Sequence, residues 1–496
     1  MLLYLRVGLS TFAVVINREK YELVVGLEVH AQLLTSSKIF CGDSTSFDAP
    51  PNTQVSPVSL GHPGTLPVMN IKAIEFAIKA GLALHCKIEQ QHYFARKNYF
   101  YPDLPKGYQV TQHTAPVCTG GYLSIYDKGT EKKVRLNRIH LEEDAGKSIH
   151  DIDPGFTCID VNRAGVPLIE IVSEPDLRSA EEAYQFLTEL RRILRWIEVC
   201  DGNMEEGSMR CDANISIRIR GVKELGTRVE IKNLNSIRNV KKAIESEFNR
   251  LITLTENNEA VKQETRSYNA DNDTTFSLRS KEEEDDYRYF PEPDLPSFFV
   301  SEKEIREVEA LMPLLPDQLK KKYTDVFLLN EYDSSVLLSD KETADFYEEI
   351  ILRTTNYKAT ANWVLGPVKS YCNENNISVN LFPVSTAGFA ELIELTENGQ
   401  VSFTTASTRI LQELISDPSK SAITVARQLN LLQESDKETV EAWIDTAIAS
   451  MPEKLIAYRN GKKNLLGLFA GEVKKLSKGR ADMQLVNILL TEKLKT

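Results

Sequence analysis

Three stretches of this chain combine residue types and spacings that could carry chemistry. In Met209-Arg210-Cys211-Asp212-Ala213-Asn214-Ile215-Ser216-Ile217-Arg218-Ile219-Arg220 every odd position is apolar and every even one polar. A strand sends alternate side chains to opposite faces, so Asp212 and Asn214 share a face with Arg210, Arg218 and Arg220. A turn around Lys223-Glu224-Leu225-Gly226 follows, and then Thr227-Arg228-Val229-Glu230-Ile231-Lys232 alternates again, with Glu230 between two cations. This predicts a β-hairpin whose polar face mixes carboxylates with Arg and Lys; a solvated sheet face would look the same. The second stretch is the buried-strand run Val24-Val25-Gly26-Leu27, after which Glu28 and His30 fall two apart on one face. A carboxylate beside an imidazole can bind a divalent cation or move a proton, although such a pair also occurs as a plain surface feature. The third is Arg138-Ile139-His140-Leu141-Glu142-Glu143-Asp144-Ala145-Gly146-Lys147-Ser148. Its Gly-Lys-Ser is not a phosphate loop, because the first glycine of that motif would have to stand at Leu141. What remains is a concentration of hard oxygen ligands suited to Mg²⁺ with nucleotide phosphates. Mg²⁺ takes only one or two protein carboxylates in such sites, so Glu28, Glu142, Glu143, Asp212 and Glu230 would serve two ions or support the ligands from behind. Between these stretches, residues 94–109 interleave Arg96, Lys97 and Lys106 with Phe94, Tyr99, Phe100, Tyr101 and Tyr108. That pattern suits phosphate and base contacts, or equally a core-packing aromatic loop.

The elements that must position these residues are partly legible. From 21 to 296 strand-like alternations sit among Pro- and Gly-rich loops, with two clear helices. One opens at Ser179 with Glu182 three residues on, a capping box, and repeats Phe186, Leu187, Leu190, Ile193, Leu194 and Ile197 at helical spacing. Asp201-Gly202-Asn203 should end it. The other carries Ile237, Val240, Ile244, Phe248 and Leu251 on one face. After 296 the pattern becomes short amphipathic helices, at 343–352, 359–373, 387–395, 408–415, 440–448 and 465–476. We expect an α+β chain divided into an N-terminal extension (1–20), a catalytic domain (21–296), a helical domain (297–400) and a helical tail (401–496). The acidic run 282–286 reads as a loop.

At 496 residues the chain is too long for one core. No apolar run outside the first twenty positions is long enough to span a membrane. Residues 1–16, broken by Arg6 and without a small-residue cleavage signature, read as an upstream extension, with a mitochondrial transit peptide as the other reading. Seven cysteines without a CxxC spacing point to a reducing compartment with neither a disulfide framework nor a four-cysteine zinc site. Net charge is −12, but 451–496 hold ten Lys/Arg against four Asp/Glu, so an acidic body with a basic tail could still approach a polyanion. A solvated basic helix end would give the same balance.

Six segments decide among these readings: Val25-Gly26-Leu27-Glu28-Val29-His30; 96–109; 140–147; Pro167-Leu168-Ile169-Glu170-Ile171-Val172-Ser173-Glu174-Pro175-Asp176; 204–214, beginning Met204-Glu205-Glu206-Gly207-Ser208; and Asp286-Tyr287-Arg288-Tyr289-Phe290-Pro291-Glu292-Pro293-Asp294. In order, they resemble the signature blocks of the B subunits of aspartyl/glutamyl-tRNA amidotransferases. The resemblance covers nearly all of 21–296 and continues more weakly, as helical pattern, through the tail. It implies a cradle similar to glutamine synthetase, followed by all-helical middle and tail domains, the tail gripping tRNA. It implies an ATP- and Mg²⁺-dependent carbon-nitrogen ligase in a bacterial cytoplasm, partnered by subunits A and C and misacylated tRNA(Gln) or tRNA(Asn), without DNA or membrane partners. ATP would phosphorylate the side-chain carboxylate of the misacylated amino acid, and ammonia released from glutamine by the glutaminase partner would displace the phosphate. The matching metal positions are Glu28, His30, Glu142, Asp212 and Glu230, with Glu143 adjacent; Lys97, Lys106 and Arg210 are expected at phosphate. Two other readings are a non-catalytic tRNA-binding scaffold and a stand-alone ligase acting on a free amino acid. One departure stands out. Many relatives bind zinc through four cysteines in the loop after the first strand, whereas this chain keeps Cys41 and has Asp43, Ser56 and Ser59 at the matching positions. One thiolate with two serines is a poor zinc site, so no zinc is expected.

Overall fold

The computed structural model describes residues 17–127, 129–280, 287–432, 436–477 and 479–494; the expectations for 1–16 and the loop 282–286 lie outside them. The strands that position the site are β1 (Tyr21–Gln32), β2 (Ala95–Asn98), β3 (Tyr108–Thr111), β4 (Thr130–Glu143), β5 (Pro167–Ser173), β6 (Met209–Ile219), β7 (Val229–Leu234), β8 (Glu264–Asn269) and β9 (Thr274–Ser280). They lie in the order β9-β8-β7-β6-β1-β5-β4-β3-β2, the core of what is, among the described residues, a 13-stranded sheet. Neighbours along this path run antiparallel except β7 and β8, which are parallel. The predicted hairpin is the β6–β7 pair.

Alternation in β1 fixes the register. Leu23, Val25, Leu27, Val29 and Ala31 are at most 4% exposed and form the floor of the hydrophobic core. Glu28 and His30 point to the other face. Each buried Leu or Val contributes roughly 1.5–3 kcal/mol, so a one-residue slip would trade that burial for two ionisable side chains in the core. The pairing follows. Glu28 lies opposite Asp212 and His30 opposite both Arg210 and Glu170; Glu170 in turn faces His140, and Asn214 faces Glu230. One face of the central strands therefore gathers the polar residues. Helices pack the opposite face: α1 (Ile71–Ala83) against β4, and α3 (Ile237–Glu256) against β6 and against α2 (Ala180–Trp196).

Ser179 caps α2 as expected, accepting from the Glu182 amide; the Glu182 carboxylate accepts from the Arg178 amide one residue further out and from Lys132. The helix stops at Trp196, before Asp201, where the chain turns through Glu198 at φ 57°.

The first compact unit runs to Leu315 rather than to 296. Phe298–Phe299 pair with Gln91 and His92, and α4 (Glu302–Ala310) buries Val308 on α1, so 298–315 complete the first core. The second unit, Pro316–Thr496, is helical throughout its described residues. The expected helices are present, joined by Pro316–Lys321, Glu331–Leu337, Ala422–Gln428, Pro452–Arg459 and Met483–Lys493. The stretch expected at 359–373 is helical across 357–375 but widens to a π turn at Val364–Val368. Pro367 sits inside that turn; it has no N–H to donate, and the wider turn accommodates its ring. Position 400 is not a clean boundary, because the Thr386–Glu397 helix packs against Ala422–Gln428. A separate hydrophobic cluster instead spans Val440 to Leu494.

Candidate active site

Two groups of side chains converge on the open face of the sheet. At the β1–β5–β4 junction, His30 Nε2 lies 3.4 Å from Glu142 Oε1 and 3.3 Å from Glu170 Oε2, and His140 Nε2 lies 3.3 Å from Glu170 Oε2. The ligand atoms of His30, Glu142 and Glu170 all fall within 4.8 Å of one another. Glu142 and His140 are each 4% exposed. Burial disfavours the His140 imidazolium, but the Glu170 charge and the bond to Glu142 outweigh it and push its pKa up to about 9. His30 moves the same way: burial opposes the charge and Glu170 overcomes it. Burial works against the Glu170 carboxylate too, yet His140 holds it well below the usual range.

The second group lies where β1, β6 and β7 meet. A cavity of about 220 Å³ is lined by Glu28, His30, Glu170, Asp212, Asn214 and Glu230, with Lys97, Arg228, Lys232 and Tyr287. Asn214 donates to Glu28 Oε1 at 2.7 Å, and the Lys232 ammonium bridges Asp212 (2.6 Å) and Glu230 (2.9 Å). Burial, then the Glu170 charge, pushes the Glu28 carboxyl up; Asn214 opposes this, and Glu230 and Asp212 add to it. The donor set fits a small divalent cation: the hard oxygens of Glu28, Asp212, Glu230 and Glu170 line one volume.

The expected residues divide as follows. Glu28, His30, Asp212, Glu230 and Lys97 line this one cavity, and Glu142 joins it through His30. The structure does not bring Glu143 or Lys106 there. Glu143 follows Glu142 on β4 and so faces the other way, where its carboxylate holds Lys106 at 2.5 and 2.6 Å and accepts from the Val110 amide. Both line a separate cavity with the fully buried Lys38. Arg210 ion-pairs with Asp144 at 2.9 Å beside the cluster. In the aromatic loop both readings hold in part. Arg96 is taken up by a bidentate pair with Glu292 and lies over Tyr108, whereas Lys97 reaches the cavity over Tyr287. Sequence reasoning passed over Glu170, His140 and Lys232 as site residues. The signal was available: each is the polar member of an alternating strand that also carries or faces an expected ligand.

In the loop after β1, Ser59 donates to Asp43 at 2.6 Å, and the Ser56 amide donates to Ser59. Burial raises the Asp43 carboxyl, but the hydrogen bond from Ser59, with the polar groups of Cys41 and Ser56 nearby, outweighs it and holds it below its ordinary value. The four positions thus converge on a carboxylate.

The GatB/GatE catalytic domain family matches residues 23–306, and the GatB domain family matches 345–494. Proteins named as the B subunit of aspartyl/glutamyl-tRNA(Asn/Gln) amidotransferase are similar along nearly the whole chain. That of Thermodesulfovibrio yellowstonii is 48% identical over 96% of this chain and 100% of its own length. That of Geotalea uraniireducens is 46% identical over 96% and 99%, and that of Bdellovibrio bacteriovorus 44% over 96% and 99%. With two family matches in order and such relatives end to end, the chain belongs to the B-subunit family of the aspartyl/glutamyl-tRNA(Asn/Gln) amidotransferases.

Proposed function

We propose that this chain performs the ATP-dependent half of tRNA-dependent amidation. The reading is carried by one observation: Glu28, Asp212 and Glu230 share a cavity with His30 and Glu170, on a sheet face whose register brings together residues nearly two hundred positions apart. In this reading a side-chain carboxylate oxygen of Glu-tRNA(Gln) or Asp-tRNA(Asn) attacks the γ-phosphorus of ATP and ADP leaves. Ammonia delivered from the glutaminase partner then attacks the acyl carbon, phosphate leaves, a proton is lost and the amide forms. Glu28, Asp212 and Glu230, with His30, Glu142 and Glu170 behind them, would hold Mg²⁺. A bound Mg²⁺ would neutralise charge on the transferring phosphoryl group. Lys97, Lys232 and Arg228 meet phosphate oxygens from the cavity wall. Arg210 keeps Asp144 neutralised beside the cluster. Subunits A and C and misacylated tRNA are the partners, in a bacterial cytoplasm.

Asp212→Ala and Glu230→Ala, each co-expressed with the partner subunits, test the reading. We expect ATP-dependent amidation to fall by a factor of roughly 10²–10³, as when a charge-stabilising group is removed, with tRNA binding kept. Unchanged amidation would leave the chain a tRNA-binding scaffold, and amidation without tRNA would make it a ligase for a free amino acid.

A further inference from the structure

One guanidinium stands beside the acids on the open sheet face without being bonded to them. Arg210 lies across from His30 in the β1–β6 pairing, two residues before Asp212 and on the same face, with about a third of its side chain exposed. It feels the charges of Glu142 and Asp212, yet its Nη2 donates to Asp144, at 2.9 Å. The other N–H groups of the guanidinium have no hydrogen-bond partner among the described residues. Asp144 is the anchor. It is 3% exposed and also accepts from Gln32 Nε2 at 2.8 Å and from the Ala145 amide at 2.9 Å. Its backbone is tied on both sides, the amide to Val166 O at 2.8 Å and the carbonyl to the Gly165 amide at 2.9 Å. Arg163 fastens the turn that follows, donating to Ala145 O at 2.9 Å and to Gly146 O at 2.7 Å. That turn needs glycine, because a Cβ at Gly146 would lie 2.9 Å from the carbonyl oxygens of Asp103 and Asp160. Arg210 is therefore aimed by a carboxylate that is itself held from several sides.

We infer that Arg210 binds the side-chain carboxylate of the aminoacyl group on tRNA, and that Asp144 is its positioning residue. This rests on the reading that the carboxylate is activated at the neighbouring cavity. Position assigns the anion. Arg228, which meets phosphate in that reading, stands just before β7, whose Val229 pairs with Ile215. Arg210 lies five residues back along β6 from Ile215, roughly 16 Å away, at the opposite end of the row of acids. Phosphoryl transfer places the attacking and leaving oxygens on opposite sides of the phosphorus. With phosphate oxygens held towards Arg228, the attacking carboxylate comes from the Arg210 end. The chemistry agrees: a guanidinium offers parallel N–H groups that match the two oxygens of a carboxylate. It also separates substrate from product, because the amide that replaces the carboxylate carries no charge for Arg210 to hold.

The test uses the complete amidotransferase with Mg²⁺ and no ATP, measuring affinity for the substrate aminoacyl-tRNA and for the amidated product on the same tRNA. We expect Arg210→Met to weaken substrate binding about tenfold or more and product binding by no more than about twofold, so that the preference for the acid collapses. Asp144→Asn keeps the shape of the anchor without its charge and should move the same ratio by a smaller factor. KM for ATP, measured separately, should stay near the wild-type value in both variants. A packing defect would weaken both ligands alike, and an unchanged ratio would overturn the inference. So would a rise confined to KM for ATP, which would return Arg210 to phosphate. Should Arg210→Met fail to fold, Arg210→Gln, which can still donate to Asp144, and Asp144→Asn decide on the same ratio. Amidation by the wild-type complex without ATP would sink the phosphorylation reading itself, a result separate from the binding ratio.

Discussion

Replacing Glu170 by Gln tests the electrostatics of the buried cluster directly. The folded chain holds His140 at about 9, against an ordinary value of 6.5. A group whose folded pKa is raised adds stability that is complete below its unfolded value and is lost as pH rises through the folded one. For His140 the full contribution is about 3 kcal/mol below pH 6.5, about 2 kcal/mol at pH 7.5 and under ~0.5 kcal/mol at pH 9. Glu170 supplies the largest part of the upward push. Glutamine keeps the shape and loses the charge, so Glu170→Gln should destabilise the first unit by about 2–3 kcal/mol at pH 6.5. The gap should close towards pH 9, where the wild-type carboxylate is left buried beside a neutral imidazole. The assay is urea unfolding of the full chain in metal-free buffer at pH 6.5, 7.5 and 9, read by pulse proteolysis so that the first unit is followed separately. A gap that stays constant across this range would refute the reasoning, because the loss would then come from packing rather than from an imidazolium.

Lys232→Met should leave Asp212 and Glu230 facing each other without their shared cation; both pairs are partly solvated, so the expected loss is about 1–2 kcal/mol. The deficit should grow as pH rises through the carboxylate range and shrink when Mg²⁺ is added, which thermal melting with and without the ion would show; a deficit indifferent to Mg²⁺ would count against a cation site there. The loop that joins Cys41, Asp43, Ser56 and Ser59 should not retain zinc. Elemental analysis of the purified chain is expected to give far less than one zinc per molecule, and stoichiometric zinc would reverse that expectation.

How much could be read beforehand follows from the range of each signal. The β6–β7 hairpin, α2 and α3 were legible because alternation, a Ser179 cap and a 3.6-residue repeat are local. That Glu28 and His30 share a face was legible for the same reason. Which strands would lie beside β1 was not, since β5 and β6 pair with it across roughly 140 to 190 residues and nothing local encodes that choice. Glu170 therefore went unassigned although its strand alternates plainly. Glu143 shows the opposite error: proximity in sequence to Glu142 suggested a shared role, yet adjacent residues of a strand face opposite ways. Lys106 was misplaced along with it, because a cation's partner cannot be read from the aromatic residues around it. The boundary at 296 failed because Pro-rich sequence marks a change of pattern, whereas the core closes only when Val308 is buried.

The sheet's two faces impose opposite demands on the same strands. On one, β1 and β6 must bury Val25, Leu27, Val29, Cys211, Ala213 and Ile215, all at most 1% exposed, and this is what makes the pairing rigid. On the other, that rigidity holds Glu28 buried beside Glu170, Glu230 and Asp212, and its carboxyl is pushed up by the burial first and by those neighbouring charges after it. A carboxylate cluster of this kind is unfavourable until a cation enters, and it cannot relax without disturbing the core beneath it. In the proposed reading this crowding is what a divalent ion would relieve, with Lys232 as the resident counter-charge between Asp212 and Glu230. A nucleotide and its metal would thus satisfy together a charge balance that neither the sheet nor Lys232 closes alone.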